Sequence, residues 1–122
     1  MASVNPISFD TGLARVLAYN WTLANTDTGV PIRTANFSDK CVQFDGTFGA
    51  GGSVTLRGSN HQNPNDATAA QWFPLTDAQA NAITKTSASG EQVFENPLWI
   101  SPQVTAGDGT TSIVVRLIAK KG

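Results

Sequence analysis

The chain has 122 residues, of which 40% are hydrophobic and only 14% charged, with eight basic and nine acidic side chains giving a net charge of -1. That length suits one domain able to bury its own core without metals or disulfides. The near-zero charge, with no basic stripe beyond Lys120-Lys121, excludes nucleic-acid binding through phosphate neutralisation and a basic membrane-surface helix.

The first twelve residues, MASVNPISFDTG, are polar and turn-rich, with Val4, Ile7 and Phe9 as spaced apolar side chains. They lack a basic start and an apolar run, so they are not expected to be a secretory signal. Two readings stay open for residues 1–12: a disordered terminus, or an arm that orders by burying Val4, Ile7 and Phe9 against a partner. The remaining residues, 13–122, are expected to form the domain.

Leu13 to Leu23 fits two periods. As a strand it places Leu13, Leu17, Tyr19, Trp21 and Leu23 on one face; as a helix, Leu13, Val16, Leu17 and Trp21. Its Trp, Tyr, Thr and Val content favours the strand. The stretch is interrupted by Arg15 and Asn20 and is too short to span a membrane. NTDTGVP, residues 25–31, is a turn cluster.

Residues 40–48 alternate, with Val42, Phe44 and Phe48 against Gln43, Asp45 and Thr47; residues 53–58 alternate again, with Val54 and Leu56 against Ser53, Thr55 and Arg57. Gly49, Gly51 and Gly52 between them allow a tight reversal, so a hairpin is expected. SNHQNPND, residues 59–66, is almost entirely turn-forming. A short strand over 71–75 is expected to re-enter the core through Trp72 and Phe73, followed by another over 83–86 and a helical turn over 91–95. Residues 98–104 read as a strand that Pro97 and Pro102 confine to an edge or to its ends. Gly107-Asp108-Gly109 signals a second hairpin. The last strand, 112–119, turns Ile113, Val115 and Leu117 to one face, but Val114 and Ile118 make its other face apolar too, which suits a central or partner-covered strand. Short strands between turn clusters, with no long helical period, predict an all-β sandwich or barrel.

Candidates for chemistry are few. His61 is the only histidine and Cys41 the only cysteine; a nucleophilic dyad needs them together with a third, orienting group. One protomer cannot supply the several His or Cys ligands of a transition-metal site, so no metal and no cofactor is expected. Asn60, Asn63, Asn65 and Asp66 lack the acidic density of a calcium loop, and the run from Gly46 to Gly52 lacks the Lys-Ser/Thr of a phosphate cradle. Glu91 and Glu95 are the nearest to a paired-carboxylate pattern. The tryptophans, Trp21, Trp72 and Trp99, divide between core, protein interface and sugar contact. Trp99 points away from Leu98 and Ile100 and is the candidate for exposure.

Three segments, DKCVQFDGTFGAGGSVTLRGSN, QWFPLTDAQANAI and ENPLWISPQVTAGDGTTSIVVRL, together resemble the small capsid decoration, or cement, proteins of tailed bacteriophages, encoded beside the major capsid protein. The resemblance spans Trp21 to Leu117. It departs in the loop after GSN, lengthened here by HQNPNDATAA, and in the LTD turn, where Ala78 and Ala80 stand at positions often held by proline or glycine. It implies a jelly-roll-like antiparallel β-sandwich that binds the outside of an assembled phage head, made in the host bacterial cytoplasm, whose partners are the major capsid protein and further copies of itself, a dimer favoured over a trimer. The expected contact residues are Val4, Ile7, Phe9, Trp99, Val114 and Ile118, with no enzymatic activity. The alternatives are a carbohydrate-binding sandwich using Trp99 and a hydrolase using its acidic residues.

Overall fold

A computed structural model describes residues 2–121; Met1 and Gly122, the outer ends of the expected arm and domain, lie outside the described residues. The chain forms two packed sheets. Among the described residues, twelve strands run in order as β1 (Ser3–Val4), β2 (Ile7–Ser8), β3 (Val16–Ala24), β4 (Thr28–Gly29), β5 (Ile32–Arg33), β6 (Asp39–Thr47), β7 (Ser53–Ser59), β8 (Phe73–Pro74), β9 (Thr84–Lys85), β10 (Ser89–Val93), β11 (Trp99–Ala106) and β12 (Ser112–Lys120). One sheet has the order β10-β6-β12-β3-β2. The other follows β1-β4-β11-β7-β8, with β5 also on β11 and β9 also on β7. Every pairing is antiparallel except β1 with β4.

Alternation builds the core. Trp21 and Leu23 from β3, Val42 and Phe44 from β6, and Ile113, Val115 and Leu117 from β12 face Val54 and Leu56 from β7 and Ile100 and Val104 from β11, all buried. The two sheets approach closely at Gly29, where an added Cβ would lie 2.6 Å from the Pro102 ring and 2.7 Å from Trp21 Cδ1. The Trp21 indole donates to the Val30 carbonyl at 3.2 Å across the layers.

Both glycine-rich reversals differ from the expected hairpins. β6 and β7 belong to opposite sheets, as do β11 and β12. The turns at Phe48–Gly52 and Gly107–Thr111 are therefore arches that carry the chain across the core, so that Val42 and Phe44 meet Val54 and Leu56 face to face instead of lying side by side. Gly49 and Gly51 take positive φ, 75° and 67°, as a tight reversal requires.

Five further expectations are corrected. Residues 91–95 are not a helical turn: Ser89–Val93 pairs along β6 from Phe44 to Lys40, and the ladder overrides the weak local preference of Glu and Gln. The re-entry at 71–75 is a single 3-10 turn (Ala69–Gln71) followed by β8, and the buried residue is Leu75, with Phe73 38% exposed. β11 lies inside its sheet, between β7 and the β4–β5 side. Pro102 is tolerated there because β5 pairs with Trp99–Ile100 and β4 with Gln103, and the proline's missing donor falls in the gap between them. The N-terminal segment is paired on both sheets: β1 joins β4 and β2 joins β3. Leu13 precedes the strand and is 65% exposed.

Candidate interaction face

Side chains of the five-stranded sheet that point away from the core form a grid fixed by register. Phe9, whose amide donates to Ala18 O, leads a row that continues through Ala18, Ile118, Cys41 and Gln92. The next row is Ile7, Asn20, Arg116, Gln43 and Gly90. Thr22, Val114 and Asp45 follow on one side, and Val16, Lys120 and Asp39 on the other. Four of the six expected contact residues, Ile7, Phe9, Val114 and Ile118, thus share one outer face. Ile7 is 73% and Phe9 46% exposed, while Val114 and Ile118 are half-buried. A depression of about 300 Å³ opens at one end between Ile118, Cys41, Gln92, Asp39 and Lys120.

Charge on this face is balanced. Arg116 donates to Asp45 through Nε at 2.9 Å and Nη2 at 3.3 Å. This raises the guanidinium pKa above its ordinary value, chiefly through the hydrogen bond and then through the carboxylate's charge. Among the described residues the other ion pair is Lys85–Glu91 at 3.3 Å. Asp39 and Lys120 are register partners that do not close one.

The other two expected residues lie elsewhere. Val4 packs against the core beside Gly29. Trp99, on β11, is half-buried, with the Arg33 guanidinium 5.4 Å from its ring centre and its Nε1 enclosed without an acceptor.

Part of the outer face of the seven-stranded sheet, around Thr28, Arg57 and Ser101, is covered by the chain itself. Residues 60–72 fold over it and close a polar layer that sequence reasoning missed. Arg57 is 5% exposed; its Nη2 donates to Ser101 Oγ at 2.8 Å and to Asp66 O at 3.1 Å, and its guanidinium stacks 4.7 Å from the Trp72 ring centre. Thr28 Oγ1 donates to Asp66 Oδ2, and Ser101 Oγ to Gly29 O at 2.7 Å. Burial pushes the Arg57 pKa down to about 10, with Asp66 opposing. The signal lay in the sequence as an arginine inside an otherwise apolar-alternating strand, followed by a loop rich in acceptors.

Reactive groups are scattered. His61 is exposed in the loop after β7, and Cys41 is on the outer face of the opposite sheet. Asn60, Asn65 and Asp66 spend their side-chain oxygens on Leu98 N, Ala67 N and Thr28 Oγ1, which is turn-building. Glu91 pairs with Lys85, whereas Glu95 accepts from the Thr76 amide and hydroxyl. Among the described residues no group of three or more His, Cys, Asp or Glu is placed to hold a metal ion.

No protein-family model matches the chain, and no curated protein matches it in sequence. Solved structures do share its shape. A cupin domain from Bordetella pertussis Tohama I superposes with a TM-score of 0.52 at 14% identity, over 99% of this chain and 96% of that one. The SPBc2 prophage-derived protein YomS superposes with a TM-score of 0.58 at 10% identity, over 90% of this chain and 98% of that one. At these identities the likeness concerns the fold: the chain is a single-domain β-sandwich of the jelly-roll and cupin-like kind.

Proposed function

We propose that this chain is a structural virion protein that binds the outer surface of a bacteriophage capsid and stabilises contacts between major capsid protein subunits. The observation that carries the reading is the outer face of the five-stranded sheet, where Ile7, Phe9, Val114 and Ile118 gather on a domain whose interior is already filled. Such a face stabilises little in isolation and gains by being covered. Three features support the reading: the segment-by-segment resemblance to decoration proteins, a neutral, hydrogen-bonding surface that costs less to dehydrate than a charged one, and a prophage-derived protein, YomS, that shares the fold. The mechanism is linkage. A ligand that binds the assembled lattice and not its loose subunits stabilises the lattice by mass action, and many copies on one shell make modest affinity per copy sufficient. The role is binding, without catalysis, on the outer capsid surface after synthesis in the host cytoplasm. The carbohydrate reading needs an open tryptophan face, and the Arg33 guanidinium set over a half-buried Trp99 gives it no support.

The test is to add purified protein to mature heads lacking it and follow co-sedimentation and the temperature at which DNA is released. Decorated heads are expected to withstand higher temperature. The double variant Ile7→Ser, Phe9→Ser is expected to fold normally, because both side chains are exposed, and to lower occupancy about tenfold or more, the effect of losing one or two buried anchors. Heads unchanged by saturating wild-type protein would overturn the reading.

A further inference from the structure

Arg57 is a buried cation that the fold leaves with a donor to spare. Its Nη2 is fully used, by Ser101 Oγ and by the Asp66 carbonyl, but its Nε is enclosed with no acceptor. Among the described residues the ion pairs are Lys85–Glu91 and Arg116–Asp45, so no carboxylate closes on this guanidinium. A buried guanidinium is ordinarily met by a carboxylate, whose two oxygens match its planar fork. The acid whose charge acts on Arg57 is Asp66, yet it turns its carbonyl to the arginine, while its carboxylate Oδ2 accepts from Thr28 Oγ1 at 3.1 Å. One residue thus occupies donors of both Arg57 and Thr28. The segment that carries it is lightly attached. Residues 60–71, NHQNPNDATAAQ, include no large apolar side chain and no buried residue. Their ties to the rest of the domain are polar: the Asp66 contacts, the Leu98 amide on Asn60 Oδ1 and the His61 amide on Ser59 Oγ. Trp72 closes the segment by stacking on Arg57. A covering that buries so little apolar surface opens at far lower cost than the domain unfolds.

We propose that residues 60–72 are a lid, and that Arg57 and Thr28 beneath it bind the carboxylate group of an incoming ligand, in the place that Asp66 holds while the lid is shut. The chain itself argues for a carboxylate. Asp66 is the group these donors already accept, and the other polar side chains of the layer, Thr28 and Ser101, are neutral, so one negative charge balances the one cation. With the lid raised, Arg57 recovers the Nη2 hydrogen spent on Asp66 O, Thr28 recovers its hydroxyl hydrogen, and Nε gains the acceptor it lacks. Ser101 holds the guanidinium in both states, since its Oγ accepts from Arg57 and donates to Gly29 O. A charge-assisted bond is roughly twice as strong as the neutral carbonyl bond it replaces. That difference is the preference for the open state that a ligand must have to raise the lid. The site lies on the sheet opposite the Ile7 and Phe9 face and is independent of what that face binds.

The experiment uses the full chain and two probes, sodium acetate and a short peptide with a central glutamate. Sodium chloride at equal ionic strength and the same peptide with glutamine are the controls. Proton–nitrogen NMR follows the side-chain Nε–H of Arg57 and the indole N–H of Trp72, which report the site and its lid directly. Both signals are expected to shift saturably with acetate and to stay in place with chloride. Asp66→Ala removes the built-in competitor and keeps Arg57, so it is expected to bind acetate about tenfold more tightly. Thr28→Val, which keeps the shape of the buried side chain and removes its donor, is expected to weaken acetate severalfold, and Arg57→Lys to lose the response. A glutamate peptide that binds more tightly than acetate, with its glutamine counterpart inert, identifies a polypeptide as the source of the carboxylate; equal binding identifies a small free acid. Either result supports the site. Wild type and Asp66→Ala that respond to acetate no more than to chloride would overturn the proposal, as would acetate binding that neither Thr28→Val nor Arg57→Lys alters.

Discussion

At the scale of single residues, Asp108 shows how a turn can hold a fold together. Its Oδ1 accepts from the Thr110 hydroxyl at 2.6 Å and the Thr110 amide at 2.8 Å, and its Oδ2 accepts from the Ala50 amide at 2.8 Å. One carboxylate thereby ties the β11–β12 arch to the β6–β7 arch. Thr111 adds a second stitch, donating to Phe48 O at 2.8 Å. Gly49 is required beside them, because a side chain there would run into the Asp108 carboxylate. The Thr110 hydroxyl, then the Ala50 and Thr110 amides, hold the Asp108 carboxyl down to about 2 from an ordinary 3.8. The folded pKa is lowered, so the contribution of these bonds is complete above the ordinary value and is lost as pH falls through about 2. Asp108→Asn removes the titration. Its urea midpoint is expected to lie below that of the wild type at neutral pH, with the gap closing between about pH 4 and pH 2. A gap independent of pH would mean that the carboxylate is not the tie.

Among the elements, the segment 60–72 is the one whose role depends on a single side chain beneath it. Arg57 offers donors to Ser101 and Asp66 and a planar surface to Trp72, a combination that lysine does not reproduce. Arg57→Ala is expected to destabilise the domain by about 2–4 kcal/mol, since it leaves Ser101 and the Asp66 carbonyl without their donor in a buried layer. It should also make residues 60–72 the first site of limited proteolysis, with the sandwich still folded. Cleavage elsewhere first would refute the cap. The same elements show what a sequence can and cannot disclose. β6, β7 and β12 are legible because alternation over seven to nine residues reports one buried face directly. The crossing of β6 to β7 is not, because a glycine-rich turn specifies a reversal without saying which sheet receives the next strand. β10 is hidden because an edge strand needs little apolar content, and Glu91 on its inward side is satisfied by Lys85. The candidate face was half visible: Val114 and Ile118 announce themselves by making both sides of β12 apolar, whereas Ile7 and Phe9 join them only through the register of β2 on β3. For Trp99, alternation gives its side of the strand but not the arginine that lies over it.

For the molecule as a whole, the N-terminal segment acts as a strap across both sheets. β1 adds to β4 in the seven-stranded sheet, and β2 adds to β3 in the five-stranded sheet; the five residues from Ser3 to Ile7 thus step from one layer to the other and close the side of the sandwich where β3 turns into β4. Ala2 O accepts from the Thr28 amide at 2.9 Å and Val4 O from the Val30 amide at 2.8 Å, while Val4 packs on the core. The strap is nonetheless expected to be dispensable to the fold, from the balance of terms. Each ordered residue costs about 1–2 kcal/mol of backbone entropy. A net hydrogen bond returns only about 1 kcal/mol, and one half-buried valine about 1 kcal/mol more. Removing residues 1–9 is therefore expected to lower stability by no more than about 2 kcal/mol and to leave a cooperative unfolding transition. The sharper readout is local. With their acceptors gone, the amides of Thr28 and Val30 should exchange with solvent much faster, while the Leu117 and Val115 amides at the centre of β12 keep their protection to within the global change. Because the truncation also removes Ile7 and Phe9, head binding should fall with it, to the level reached by the Ile7→Ser, Phe9→Ser variant. Exchange at Thr28 and Val30 unaltered by the truncation would show that the strap does not pair as described. A collapse of the whole transition would show that it belongs to the core of the fold instead of closing its side.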